Sequence, residues 1–224
     1  MQISINPLAE FAFATEAKRK SIIRNQKEPN IHMIPWYQLA KSRIRLAIAK
    51  KGDLQPILAG IEELKNRKPI KVRQINDRNV SIEALERFLE MKLPKVLKDI
   101  DYEVIKKPKK TDIPPLLVKG VEVIVSPDVI IKTTINGQSY LGAVKIHVAK
   151  TKTFDNNQLK HIASATYMYL ENAFSGEEIM IHPDLCLAYD IFGGRIVHAP
   201  HDIIKGIKEL EKICQEVKEV WTKV

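Results

Sequence analysis

The chain has 224 residues, 45% of them hydrophobic, and a formal net charge of +9. That length accommodates one large domain or two small ones, and that apolar content excludes a disordered tail. No apolar run approaches the roughly 20 residues that cross a bilayer, and no signal-peptide pattern opens the sequence, so a cytoplasmic protein with no membrane partner is expected.

Charge divides the chain. All of the positive excess lies in the first hundred residues, and the remainder is balanced. A basic segment joined to a neutral one suits a polyanionic partner, nucleic acid above all. Apolar spacing in residues 7–26 (Leu8, Phe11, Ala12, Ile22, Ile23) predicts a helix that carries Lys18, Arg19, Lys20 and Arg24. A second helix over 35–50 interleaves Leu39, Ile44, Leu46 and Ile48 with Lys41, Arg43 and Arg45, and Gly52 supplies its stop. A third is expected over 54–65. Beyond Pro69 and a polar stretch at 76–79, Ser81 suits the N-cap of a helix through Leu85, Phe88, Leu89 and Leu93, with Glu83 and Glu86 near its start. Pro94 kinks or divides that helix, which extends to about residue 98.

From residue 101 the pattern changes. Tyr102–Ile105 is a short strand candidate, followed by the basic loop 106–110. Residues 118–135 are rich in Val and Ile, with one break at Ser126-Pro127, and read as strands. Asn136-Gly137 is a tight-turn signal, so 140–149 returns as the second arm of a β-hairpin. A helix follows over 156–174, then a strand at 185–189, a turn at Gly193-Gly194, a partner strand at 195–198 and a last helix over 202–221. Cys186 and Cys214 have no CxxC or CxxxH companion, which favours buried reduced thiols over a disulfide or zinc site.

The chemistry concentrates on the hairpin. Pro127-Asp128 opens one arm and Lys145 lies on the other, between the helix 81–98 and the helix 156–174. This arrangement resembles the PD-(D/E)XK nuclease superfamily, in its RecB-like branch. The resemblance implies an α/β fold with a basic helical region at 1–80 and a restriction-endonuclease-like core at 81–224: helix, three-stranded meander, helix, strand hairpin, helix. It implies Asp128 and the Val144 carbonyl as metal ligands and Lys145 as the group that orients water or steadies phosphate charge. Gln158 matches the Gln of a Gln-hydrophobic-x-x-Tyr motif that positions the substrate strand, although Ile162 stands at the Tyr place. The cofactor would be Mg2+ or Mn2+ if the protein is active and none otherwise, because a hard divalent ion polarises a phosphodiester and its own water.

The second acid of that motif is missing. Its place is held by Ala143, so another carboxylate is expected to substitute: Glu86, with Glu83, Glu90 and Glu122 as further candidates. An Ala143→Glu change would then complete the site. The expected function is a nucleic-acid-acting hydrolase that cleaves phosphodiesters with a metal. The alternative is a catalytically inactive scaffold of the same fold that binds nucleic acid or a protein partner. Nucleic acid would be held by Lys18, Arg19, Lys20, Arg24, Lys41, Arg43 and Arg45. His147 shares a strand face with Lys145 but reads first as a sheet-surface histidine, His198 and His201 as a solvated loop pair, and Asp190 as a turn acid. Trp36-Tyr37 reads as helix packing ahead of base stacking.

Overall fold

A computed structural model describes residues 1–29 and 36–224. Among these residues the chain order begins β1 (Gln2–Ser4), α1 (Ile5–Ala12), α2 (Glu16–Lys27), α3 (Gln38–Ala49), α4 (Gln55–Asn66), α5 (Val72–Glu90) and α6 (Lys95–Lys98). It continues β2 (Tyr102–Ile105), β3 (Leu117–Val118), β4 (Val121–Ile124), β5 (Val129–Ile135), β6 (Gln138–His147), α7 (Asn156–Ala173), β7 (Met180–Asp190), β8 (Arg195–His198) and α8 (Ile203–Trp221). The fold is mixed α/β, and no described helix is long and apolar enough to cross a membrane.

A five-stranded sheet in the order β2-β5-β6-β7-β8 organises the molecule. Its neighbours are antiparallel except β6 and β7, which run parallel. A parallel pair needs a crossover, and α7 supplies it. The β5–β6 hairpin turns at Asn136 (φ 51) and Gly137 (φ 81), two consecutive left-handed residues whose twist matches that of the strands they join. Asp155 starts α7 by accepting from the backbone N–H of Asn157 and Gln158, while the Gln158 side chain accepts from the Asp155 N–H in return. A second sheet, β1-β4-β3, departs from the expected architecture; β1 pairs parallel with β4, from residues 120 positions away.

Strand alternation sends side chains to two apolar layers. Ile130, Leu141, Ala143, Cys186 and Ala188 face a core shared with α1, α2, α7, α8 and the small sheet. Val129, Ile131, Val144, Ile146 and Tyr189 face a second core built with α3, α4 and α5. The amino-terminal helices are thus split between the two sides of the sheet, and the expected boundary at residue 80 falls inside α5. Past α5 and the short α6, strands β2, β5 and β6 form an antiparallel run, followed by α7, the β7–β8 hairpin and α8. The first strand of that run is Tyr102–Ile105, whereas Val121–Ile124 joins the small sheet.

Two local expectations are corrected. The helix over 7–26 is two helices, broken at residues 13–15 where Thr15 caps α2 through the Lys18 N–H. Ser81 is no N-cap: it is buried in mid-helix, on the stripe with Ala84, Leu85 and Phe88. The polar residues before it form the opening turns of α5, because Asn and Asp are weak helix formers rather than breakers and no Gly or Pro interrupts 72–90. Residue 35, the expected start of the second helix, lies outside the described residues, and α3 is described from Gln38. Both cysteines are free and buried.

Candidate functional site

The hairpin register creates the central contact. Val129 pairs with Val144, and Asp128, just before β5, lies beside Lys145 of β6. The Asp128 N–H donates to the Val144 carbonyl at 2.8 Å, and its Oδ2 accepts from the Ile146 N–H at 2.7 Å. The carboxylate is therefore clamped to β6 before any ligand arrives. Lys145 Nζ lies 3.8 Å from Asp128 Oδ2 and donates to the Ser126 carbonyl at 2.6 Å. Its side chain is only 12% exposed. Burial pulls the ammonium down from 10.5 to about 8, Asp128 opposes that shift, and the Lys41 and Lys107 charges add to it.

Two further lysines converge on the same acid. Lys41, from α3, places Nζ 3.0 Å from Asp128 Oδ1. Lys107, from the loop after β2, donates to the Ser126 hydroxyl; burial lowers its pKa, and the attraction of Asp128 works against that. One carboxylate thus faces three ammonium groups, and the cluster is net positive when they are protonated. Its Lys41–Asp128 side opens into a cleft of about 520 Å³ walled by Trp36, Tyr37, Lys41, Arg45, Asp128 and His147, while Lys107 lines a separate pocket with Pro108, Pro114 and Ser126. The His147 ring stacks on Phe154 at 4.2 Å and donates through Nε2 to the Lys152 carbonyl at 2.6 Å. Burial pushes its imidazole below the usual range, which favours the neutral ring.

The residues present do not fit a divalent ion at Asp128. Oδ1 is ion-paired with Lys41, Oδ2 is hydrogen-bonded to β6, and the Val144 carbonyl already accepts from Asp128. Glu86 stands on the exposed face of α5, and no hydrogen bond or ion pair joins it to Asp128. Glu83 pairs with Lys150 and Arg87, and Glu122 accepts from Gln2 in the small sheet. Among the described residues, the only group of three or more potential metal ligands lies elsewhere. Ala143 points into the apolar core with no exposed surface. Gln158 caps α7 and donates to the Ala9 carbonyl at 3.3 Å, which ties α7 to α1 rather than reaching the cleft.

The seven cations expected to hold nucleic acid separate into different settings. Lys18 pairs with Glu10 and Lys20 with Glu16, both on the α1–α2 side. Arg19 donates to the Phe11 and Ala12 carbonyls and pairs with Glu216 at 3.0 Å, so it closes the end of α1 against α8. Arg24 is exposed on α2. Arg43 pairs with Glu63 at 2.7 Å. Of the seven, Lys41 and Arg45 reach the cleft.

A second basic pocket of about 500 Å³ shares Trp36 with the first and is lined by Arg67, Lys68, Arg73 and Arg78. The Trp36 ring is 41% exposed, with the Arg73 guanidinium 5.5 Å from it. The density of cations between 65 and 78 is the sequence signal for this pocket, but in the chain they lie more than 20 residues from Trp36 and only the α4–α5 packing brings them to it. Asp190 is fully buried and accepts from the Gly193 and Phe154 N–H groups, as a turn acid does. No family model and no curated protein matches the chain.

Proposed function

We propose that the protein binds nucleic acid in the two joined basic pockets, with the Asp128 cluster recognising phosphate through lysines rather than through a metal. The observation that carries this reading is the convergence of Lys41, Lys107 and Lys145 on one clamped carboxylate beside an exposed tryptophan. Lysine ammonium groups neutralise backbone phosphates, and an aromatic face stacks on bases without sequence preference. In this reading the core is a nuclease-like scaffold in which Lys41 holds the carboxylate oxygen that a metal would need. A second reading, metal-dependent cleavage, draws on the Asp128–Lys145 pair on adjacent strands between α5 and α7.

Fluorescence anisotropy with a labelled duplex and a labelled single strand, at several salt concentrations and in EDTA, tests the first reading. Binding without metal is expected, with log K falling about 0.9 per log salt for each duplex phosphate contacted. Absence of binding at low salt would overturn it. A plasmid-nicking assay with Mg2+ or Mn2+ separates the two readings: no cleavage is expected, and cleavage that Asp128→Ala abolishes would establish the second. Asp128→Asn is the finer discriminator, since removing the negative charge should tighten binding under the first reading.

A further inference from the structure

Away from the basic cleft, Asp184, His198 and His201 bring one ligand atom each to within 4.8 Å of one another. Asp184 lies on β7, His198 ends β8 and His201 opens the loop into α8, so three separate pieces of backbone meet. The β7–β8 ladder produces the meeting: Leu187 pairs with His198, and continuing that register sets 184 against 201. Asp184 Oδ1 is shielded from solvent and lacks any hydrogen-bond donor in line. It nevertheless lies 3.4 Å from His198 Nδ1 and 3.3 Å from His201 Nδ1. The His198 Nδ1–H is directed elsewhere, to the Ala199 carbonyl at 2.7 Å, which leaves its other ring nitrogen with the lone pair. A buried acceptor oxygen with no hydrogen-bond donor, set beside two imidazoles, is an arrangement that a cation satisfies.

We infer that Asp184, His198 and His201 form a binding site for a borderline divalent transition ion of the Zn2+ class. Two imidazoles and one carboxylate suit Zn2+, Co2+ or Ni2+, whereas Mg2+ prefers an all-oxygen shell. Three protein ligands leave a fourth position for water. The ion would join β7, β8 and the entry to α8, and so would bind the folded chain in preference to the unfolded one.

The test is calorimetric titration of ZnCl2 into the full, tag-free chain, with thermal unfolding followed in parallel. One Zn2+ per chain and a melting temperature that rises to saturation are expected, with no effect from millimolar Mg2+. Co2+ should give the visible absorption of a four-coordinate site. Asp184→Asn and His201→Ala should each weaken binding by roughly tenfold or more, and His198→Ala/His201→Ala should lose both the heat and the thermal shift. His201 is 78% exposed, so its replacement leaves the fold intact and serves if the double variant does not fold. Absence of Zn2+ binding by the wild type, or unchanged binding by His201→Ala, would overturn the inference.

Discussion

Lys145 shows how one buried charge couples the site to pH. Its pKa of about 8 in the folded state lies below the ordinary 10.5 because the side chain is enclosed. A lysine with a lowered folded pKa disfavours folding while it is protonated in both states, and the penalty is relieved as pH rises from about 8 toward 10.5. The full effect is about 3 kcal/mol at most. Denaturant unfolding from pH 7 to 10 should therefore show this contribution to stability growing in the wild type and missing in Lys145→Met; parallel profiles would refute it. The same titration removes a positive charge from beside Asp128, so nucleic-acid affinity should fall across pH 8 in the wild type and less so in the variant. Ala143 makes the opposite point. A Glu there would stand in an apolar layer without a partner, so Ala143→Glu is expected to destabilise the fold by about 3 kcal/mol or more, with no gain in Mg2+ affinity by calorimetry.

At the scale of elements, β6 and β7 are the critical pair. A Cβ at Gly142 would stand 2.6 Å from the Leu185 carbonyl oxygen, so only glycine lets the two strands approach. Gly142→Ala should cost about 1–3 kcal/mol by overpacking, read as a lower melting temperature. Gln158 belongs to this scale too. Its replacement by alanine removes half of the α7 capping box and the tie to Ala9, at about 1 kcal/mol, while nucleic-acid affinity should remain unchanged. A Gln158→Ala variant that folds normally but loses binding would restore the strand-positioning role that the resemblance implies.

Across the whole molecule, the sheet sorts the positive charge. The cations of α2 lie on the side that packs with α8, whereas α3 packs on the opposite side and sends Lys41 and Arg45 to the cleft beside Asp128. Salt titrations should therefore distinguish two double variants of equal charge change. Lys41→Ala/Arg45→Ala is expected to flatten the slope of log K against log salt by about 2, near 0.9 per lost phosphate contact. Lys20→Ala/Arg24→Ala should leave it unchanged. Equal effects from both pairs would mean that the binding surface extends around the molecule.

The sequence alone determined what local chemistry decides. Asn136-Gly137 dictates a two-residue turn, and arms of equal length then bring Asp128 beside Lys145, so that contact is legible in residue spacing alone. The limits of α7, β8 and α8 follow from caps and turns in the same way. The tertiary structure decided what depends on distant packing. Ser81 carries N-cap chemistry in isolation, yet burial against the sheet places it in mid-helix. Gln2–Ser4 has no strand signal until β4 offers it a partner. Lys41 meets Asp128 across 87 positions of chain, and Asp184 meets His201 because two strands share a register; neither encounter leaves a trace in spacing, since a fold brings residues together through the layers they bury and not through their order.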